Sequence, residues 1–399
     1  MAKNNDDGFR TILKLSHRDL NDKNNAQAIY FSRPAIQAMY QKSKTEEVFD
    51  DLVRLKYLKL PKPTSYPLDL AQGFEQYIFL QEMSQAFLLK LVVKFLLETE
   101  NRLIPRNTTE KVETSKTDKS LEPQVPKVGK SILPPKRKLV LTHWGVLSRA
   151  MVEPYRRPGW PKEVSTFYGI KYCGVLHIID SKVFADREKH QTYHGKFEQI
   201  CFSDDPDLEP ITNVPVDRND ATFGIFRSTL KEFDLIYSAQ INGVISEKKI
   251  DVNNLDEVNE CNFVTTKLLC ATSDSFLKHP KCLYFWAQLY LTNTSDICIG
   301  IRKRNDEFLR DPPKLLKVKD LPKDQKWKPV VCLRFLNTVL NMIEKTMSKV
   351  DCPYTVYEFK YDFHAKCFKS KIHHGKTDLS FLPENYIEHC KRQQQQQKQ

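Results

Sequence analysis

The sequence lacks three features that would assign it to a membrane, secreted or zinc-binding class. It has no apolar run near the roughly 20 residues that a bilayer requires, since its most apolar stretch, Phe87 to Leu97, is interrupted by Lys90 and Lys94. Its start has no apolar secretory signal, so we expect the ten cysteines to be thiols in a reducing compartment. No two cysteines are spaced as Cys-x-x-Cys, and a zinc cluster is therefore not expected.

Positive charge is unevenly distributed along the chain. The formal net charge of +12 suggests a nucleic-acid partner. However, the segment Pro105 to Lys138 holds nine Lys or Arg against four Asp or Glu, and the tail from Lys391 holds three more basic residues. These two segments together carry eight of the twelve net charges. The basicity therefore favours flexible arms that attract polyanions over a basic folded face.

Composition divides the chain into an arm, a domain with an insertion, and a tail. Residues 1–65 are polar and are predicted to be a partly ordered N-terminal arm. The domain is predicted over residues 66–390, with a disordered insertion at 105–138 that is rich in proline and poor in large apolar side chains. Residues 391–399 form a glutamine-rich tail that is predicted to be disordered.

The periodicity of apolar residues predicts both strands and helices. Alternating, β-branched runs predict sheet strands at Tyr172–Ile179, Thr222–Arg227, Leu235–Tyr237 and Phe263–Val264. Apolar residues at spacings of three and four predict helices at Gly73–Glu100, Lys281–Leu291 and Val330–Met347. The mixture predicts an α/β or α+β fold.

Two candidate strands place polar residues at alternate positions. Gln240 and Asn242 alternate on one strand, and Thr265 and Lys267 alternate on the next. Because successive side chains of a strand point to opposite faces, each pair shares one face, and two such strands can line one cleft. The alternative is that these are ordinary polar strand residues without a common site.

Seven short segments of the chain are informative when their sequences and their order are taken together. They are Pro67–Leu70, Leu141–Gly145 leading to Pro154–Tyr155, Gly195–Glu198, Tyr237–Asn242, Phe263–Lys267, Phe285–Gln288 and Phe381–Pro383. In this order they resemble the DXO family of decapping and 5′-end-processing exonucleases, from about Pro67 to about Ile387. The resemblance implies a single domain with a central mixed sheet flanked by helices.

The resemblance also implies a degenerate catalytic row. Active members of the family have, at the matching positions, an arginine that faces the RNA 5′ end, four metal-binding carboxylates, a lysine and a glutamine. These seven positions fall, in the same order, on Trp144, Glu198, Gln240, Asn242, Thr265, Lys267 and Gln288.

Only one carboxylate remains in this row, that of Glu198. Gln and Asn keep the shape of Glu and Asp but remove the charge. Thr265 removes the charge and also has a shorter side chain. Mg²⁺ and Mn²⁺ need several converging carboxylate oxygens to be held for phosphoryl transfer. We therefore expect a pseudoenzyme with no catalytic residue, no metal and no cofactor.

The loss of three negative charges makes the predicted cleft less repulsive to phosphate, because Lys267 is kept. We expect Lys267, Gln288 and Trp144 to be the residues that contact an RNA 5′ end. The indole of Trp144 can either stack on a base or fill the mouth of the pocket. Both alternatives stay open at this point.

The decay of the row, with Trp in place of the arginine, resembles an inactive fly germline member of the family. This resemblance implies a nuclear adaptor of the piRNA pathway that protects nascent precursor transcripts from 5′-end processing, termination and splicing. The partners that it implies are Deadlock and, through Deadlock, the chromatin reader Rhino. One alternative is an active hydrolase with unusual metal ligation through Glu198, Asp204 and Asp205, and another is a scaffold that contacts no RNA.

Overall fold

The computed structural model describes residues 8–15, 29–42, 49–50, 53–79, 85–99, 137–156, 165–181, 189–270, 276–278 and 281–396. In these ranges the chain forms eighteen strands, seven α-helices and five short 3-10 helices. None of the helices in these ranges is long and apolar enough to cross a bilayer.

The strands are β1 (Arg10–Lys14), β2 (Ala35–Lys42), β3 (Phe49–Asp50), β4 (Tyr57–Leu58), β5 (Leu68–Asp69), β6 (Lys138–His143), β7 (Ser165–Tyr172), β8 (Val175–Asp180), β9 (Phe202–Ser203), β10 (Thr222–Leu230), β11 (Phe233–Ile241), β12 (Gly243–Ile245), β13 (Asn262–Cys270), β14 (Asp296–Arg302), β15 (Phe308–Leu309), β16 (Lys314–Lys317), β17 (Val356–Asp362) and β18 (Cys367–His373). The α-helices are α1 (Gln85–Glu98), α2 (Trp144–Val152), α3 (Lys189–Cys201), α4 (Leu255–Glu260), α5 (Lys281–Leu291), α6 (Pro329–Thr346) and α7 (Glu384–Gln396). The 3-10 helices are Pro63–Ser65, Phe74–Gln76, Glu153–Tyr155, Phe276–Lys278 and Val318–Asp320.

The largest element of the fold is a mixed sheet of ten strands. Their spatial order is β1-β18-β17-β7-β8-β6-β11-β10-β2-β3. Strand β6 runs parallel to both of its neighbours, and the other pairs are antiparallel. This sheet, flanked by helices, confirms the predicted mixed α/β architecture.

A second sheet of six strands has the order β16-β14-β13-β12-β4-β9, and β5 and β15 form a separate pair. The chain passes from the larger to the second sheet between β11 and β12, which are separated by Asn242 alone. Gln240 lies on β11, but Asn242 lies between β11 and β12, so the prediction that one strand carries both residues is wrong. Both residues lie where the chain passes from one sheet to the other.

Three apolar cores hold these layers together. The main core combines residues of both sheets with α2, α5 and α6, for example Val140, Trp286 and Leu336. A second core packs α1 and α7 against the larger sheet. A third core packs α3 against the second sheet through Phe197 and Val264. Each sheet is therefore fixed by helices, and helix α3 is held directly beside β13.

The segment predicted as one strand from Tyr172 to Ile179 is a hairpin of β7 and β8, so that prediction is wrong. Its turn is Cys173-Gly174, and both residues have positive φ angles of 52° and 72°. The carboxylate of Asp351 accepts hydrogen bonds from both turn N–H groups, at 2.7 Å each. A side chain distant in sequence thus stabilises a turn that local periodicity does not indicate.

The predicted arm at 1–65 is in part a component of the sheets. Strand β2 lies between β10 and β3 in the larger sheet, and β4 belongs to the second sheet. The helical run predicted from Gly73 is shorter in the structure, because α1 begins at Gln85 after the 3-10 helix Phe74–Gln76.

The insertion and the tail also differ from their predicted bounds. Most of the insertion, residues 105–136, lies outside the described residues, and its last residue, Lys138, begins strand β6. Helix α7 continues through the glutamine tract to Gln396. Glutamine is a good helix former, and the helix is anchored by its buried residues Tyr386, Ile387 and Cys390.

Candidate functional site

Asn242 is the one residue between β11 of the larger sheet and β12 of the second sheet. The next residue, Gly243, lies so close to β4 that an added Cβ would be 2.5 Å from the carbonyl oxygen of Lys56 and 2.6 Å from the Phe202 ring. Only glycine fits there without displacement of backbone. Close packing at Gly243 thus fixes the position of Asn242.

Helix α3 brings Glu198 to the same place. Gly195, one turn earlier, allows Tyr77 and Arg218 to lie against the helix, since a Cβ there would be 2.6 Å from the Tyr77 hydroxyl and 2.9 Å from Cδ of Arg218. His194 donates from Nε2 to the carbonyl oxygen of Thr266 at 3.1 Å and so attaches the helix to β13. The glycine of the Gly195–Glu198 segment thus makes room for an arginine beside the carboxylate.

The residues of the predicted row form a chain of hydrogen bonds. Thr265 Oγ1 donates to Asn242 Oδ1 at 2.6 Å. Asn242 Nδ2 donates to Glu198 Oε1 at 2.7 Å. The other oxygen of Glu198, Oε2, accepts from Arg218 Nη1 at 3.1 Å. Both carboxylate oxygens of Glu198 therefore have protein donors as partners, and one of these donors carries a full positive charge.

The charge on Glu198 is stabilised by its surroundings. Burial of this side chain, which is 15% exposed, disfavours ionisation, but Arg218, His194, Lys56 and the hydrogen bond from Asn242 together outweigh it and lower the pKa of Glu198 to about 2. Burial, with Lys267 and Arg218 nearby, lowers the pKa of His194 to about 4. At neutral pH His194 is therefore uncharged, and Arg218 is the counter-ion that contacts Glu198 directly.

Lys267 lies on the wall of a cleft beside this row. Its Nζ is 5.5 Å from the centre of the Phe285 ring. Within the described part of the chain, no carboxylate or hydrogen-bond acceptor contacts this amine. Burial is the largest cause that lowers the pKa of Lys267 to about 8, with Arg218 and Lys281 acting in the same direction and Glu198 opposing them. The amine is thus mostly protonated at pH 7 and close to half-protonated at pH 8.

Trp144 forms another part of the wall. Strand β6 ends at His143, whose Nδ1 accepts from the Gly145 N–H at 3.1 Å and caps helix α2. Trp144 is the first residue of that helix, is half-buried, and packs against the main core. The lining of the cleft consists of Trp144, Gln240, Ile241, Asn242, Gly243, Phe263, Val264, Thr265, Lys267, Leu289, Thr292 and Thr294.

The structure thus brings five of the seven predicted residues to one cleft. Glu198 is connected to this group through Asn242 and does not itself line the cleft. Gln288 is buried on α5 and does not line the cleft. Leu289 of α5 and Thr292, which follows the end of that helix, line the cleft in its place.

Sequence reasoning missed Arg218 and His194. His194 precedes Glu198 by four residues on α3, so the spacing of helical neighbours could have identified it. Arg218 follows Glu198 by twenty residues in an irregular segment, and no local pattern relates the two. Only the three-dimensional path of the chain reveals this ion pair.

The row does not fit the metal ions that the family resemblance implies. Two hard cations need several anionic oxygens, whereas this row offers one carboxylate whose two oxygens already accept hydrogen bonds. A cation at Glu198 would also meet the positive charge of Arg218. Across the described residues, no group of three or more His, Cys, Asp or Glu side chains is arranged to hold a metal ion.

Comparisons with known proteins assign the fold and the family. A family model described as "RAI1 like PD-(D/E)XK nuclease" matches residues 32–387. The solved structure of S. pombe Rai1 superimposes with a TM-score of 0.65 at 18% identity, and covers 92% of this chain and 100% of that one. These matches confirm the resemblance that the ordered segments indicated.

Two curated relatives are more similar in sequence over shorter regions. The "Decapping and exoribonuclease protein" of Bos taurus is 25% identical over 260 residues, which cover 62% of this chain and 64% of the relative's own length. The "Protein cutoff" of Drosophila melanogaster is 31% identical over 104 residues, which cover 26% of this chain and 27% of that protein. Each match therefore spans less than two thirds of the relative.

Proposed function

We propose, since the chain belongs to the RAI1-like PD-(D/E)XK nuclease family, that it is a member which no longer cleaves RNA and acts as an adaptor. The observation that carries this proposal is the pair of donors on Glu198. Arg218 and Asn242 contact its two oxygens at 3.1 and 2.7 Å. A cation would have to displace both donors and tolerate the guanidinium beside it.

The cleft retains features that suit binding of an RNA end without cleavage. Lys267 has a protonated amine at neutral pH and, among the described residues, no anionic partner. The charge of Glu198, the one carboxylate in the row, is balanced by Arg218. Phosphate therefore meets one available positive charge and little uncompensated negative charge. We propose that the cleft holds an RNA 5′ end or a single strand and shields it.

The role of Trp144 separates two forms of this proposal. If its indole stacks on a base, Trp144→Ala weakens RNA binding and Trp144→Phe largely preserves it. If its indole fills the mouth of the cleft, Trp144→Ala strengthens binding. The half-buried indole of Trp144 lies on the wall of a cavity of about 10 Å³, which has room for about one water molecule. The geometry of the free protein therefore favours the second form.

We further propose a nuclear role at germline piRNA precursor transcripts, with Deadlock and, through it, a Rhino-type chromatin reader as partners. In this role the chain protects nascent transcripts from 5′-end processing, termination and splicing. Two similarities support the proposal: the degenerate row, and the partial match to Protein cutoff. Co-purification of Deadlock with the tagged nuclear protein is the expected result. Ultraviolet crosslinks to precursor transcripts are expected as well, whereas a scaffold without RNA contact would give none.

A turnover assay tests the loss of cleavage. The purified chain is incubated with capped, 5′-triphosphate and 5′-monophosphate RNA in the presence of Mn²⁺, with the bovine decapping and exoribonuclease protein as the assay control. We expect no release of nucleotides or cap from this chain. Release that disappears in Glu198→Ala would instead establish the alternative, an active metal-dependent decapping enzyme or 5′–3′ exonuclease with unusual metal ligation.

A further inference from the structure

The loop at residues 204–216, between β9 and β10, exposes large apolar side chains. Leu208, Ile211 and Val214 are 62%, 56% and 49% exposed, respectively. Ile78, which lies beside the end of this loop through its bridge to Asp217, is 47% exposed. Single exposed apolar residues are common on protein surfaces, whereas apolar residues exposed as a group mark a candidate interaction site.

Hydrogen bonds hold this 204–216 loop against the domain. Lys196 Nζ donates to the carbonyl oxygen of Thr212 at 2.9 Å, and Gln199 Nε2 donates to that of Val214 at 3.0 Å. The Ile78 N–H donates to the carbonyl oxygen of Val216 at 2.9 Å. Both donating side chains come from α3, the helix that carries Glu198. The backbone from Thr212 to Val216 is therefore held in place beside Ile211, which lowers the entropic cost of binding a partner there.

The charge of the loop is opposite to that of the whole chain. It contains Asp204, Asp205, Asp207 and Glu209 and no lysine or arginine, whereas the chain carries a net charge of +12. Asp205 pairs with Lys249 Nζ at 3.5 Å. Within the described part of the chain, no cation pairs with the other three carboxylates. Unneutralised negative charge therefore alternates with exposed apolar side chains.

We infer that the 204–216 loop is a docking surface for a basic, apolar segment of a partner protein. Lysine or arginine side chains of such a segment would pair with Asp207 and Glu209, while its apolar side chains would cover Leu208 and Ile211. A nucleic acid is disfavoured because its phosphates would meet the carboxylates. A symmetric contact with a second copy is disfavoured because it would bring two acidic loops together. This loop would be the surface through which the proposed adaptor binds its protein partner. Such binding does not require that the chain has lost RNA cleavage.

Peptide selection on the full chain tests this inference. Random phage-displayed peptides are selected on the wild type, with Leu208→Ser/Ile211→Ser as the counter-target, and enriched sequences are synthesised as fluorescent peptides. We expect enrichment of peptides that combine Lys or Arg with Leu, Ile or Phe. Their affinity, measured by fluorescence anisotropy, should fall at least about tenfold in Leu208→Ser/Ile211→Ser and in Asp207→Lys/Glu209→Lys.

Matched controls make the test specific. Leu315→Ser removes another exposed leucine, 42% exposed on β16, and should leave peptide affinity unchanged. Equal thermal unfolding of all variants shows that the fold is intact. The inference is overturned if no basic, apolar peptides are enriched, or if they bind the loop variants as tightly as the wild type. It is also overturned if sedimentation shows a dimer that Leu208→Ser/Ile211→Ser abolishes.

Discussion

The amide Nδ2 of Asn242 donates a 2.7 Å hydrogen bond to Oε1 of Glu198, at the position where the chain passes from one sheet to the other. Where active relatives are expected to have a second carboxylate facing a metal ion, this chain has a donor facing the first carboxylate. Two carboxylates at this distance need a cation or a shared proton between them, whereas an amide and a carboxylate stabilise each other directly.

The first prediction concerns Asn242→Asp. This change replaces the donor with a second carboxylate beside Glu198, so we expect the free energy of unfolding to fall by about 1–3 kcal/mol in EDTA. Addition of Mn²⁺ should recover part of this loss, because a cation can then bridge the two carboxylates. Urea denaturation with and without Mn²⁺ measures both effects. Asn253→Asp at an exposed position is the control and should show neither.

The second prediction concerns the counter-ion of Glu198. Arg218→Ala leaves a largely buried carboxylate without its cation, and should destabilise the protein by about 3 kcal/mol. When Glu198→Gln is added to Arg218→Ala, much of the lost free energy of unfolding should be recovered, because the uncompensated charge is then removed. Arg227→Ala removes the more exposed pair with Asp234 and should cost under about 1 kcal/mol. Equal losses for Arg218→Ala and Arg227→Ala would show that Glu198 does not need Arg218.

The third prediction is a dependence of stability on acid. The pKa of Glu198 is lowered from 4.5 to about 2 in the folded chain. A group whose folded pKa is depressed contributes stability that is fully present above its unfolded pKa and is lost as the pH falls through its folded pKa. The stability advantage of the wild type over Glu198→Gln should therefore be constant above about pH 5 and narrow between pH 4.5 and 2. Urea denaturation of both proteins across this range measures it. An advantage that stays constant down to pH 2 would contradict the assigned ion pair.

The fourth prediction concerns Lys267 and RNA. Lys267→Ala should weaken binding of 5′-monophosphate RNA about tenfold, by loss of a charge-assisted contact to phosphate. Because the pKa of Lys267 is about 8 in the free protein, wild-type affinity should fall as the pH rises from 7 to 9. Lys267→Arg, which stays charged, should flatten this dependence.

Filter binding measures these affinities, and Lys248→Ala, at an exposed lysine away from the cleft lining, is the control. An equal loss of affinity in the two alanine variants would assign RNA contact to general surface charge. If neither variant changes the affinity, the cleft does not contribute to RNA binding.

Much of the fold could be predicted from the sequence because periodicity records which face of an element is buried. The helices at Lys281–Leu291 and near Val330–Met347 are in the structure almost as predicted. The hairpin at Cys173-Gly174 could not be predicted, because Asp351 stabilises it from a distant part of the chain. The pairing of β2 inside the larger sheet was missed because residues 1–65 are polar on average, although β2 itself is largely buried.

The candidate site was predictable where it depends on strand alternation, and not where it depends on loops. Gln240, Thr265 and Lys267 share a cleft as their spacing requires. Gln288 is buried on α5 and does not line this cleft, and its position on a helix does not by itself show which surface its side chain reaches. Arg218 reaches Glu198 only because Gly195 leaves room for it, and this is a property of the packed structure.

The most direct test of the account is a calorimetric titration of the purified chain with Mn²⁺. The comparison is the variant Gln240→Glu/Asn242→Asp/Thr265→Glu, which places carboxylates at the positions where the family resemblance implies them. The account predicts no saturable binding to the wild type at millimolar Mn²⁺, and saturable binding to the restored variant. Binding of Mn²⁺ to the wild type that disappears in Glu198→Ala would contradict it.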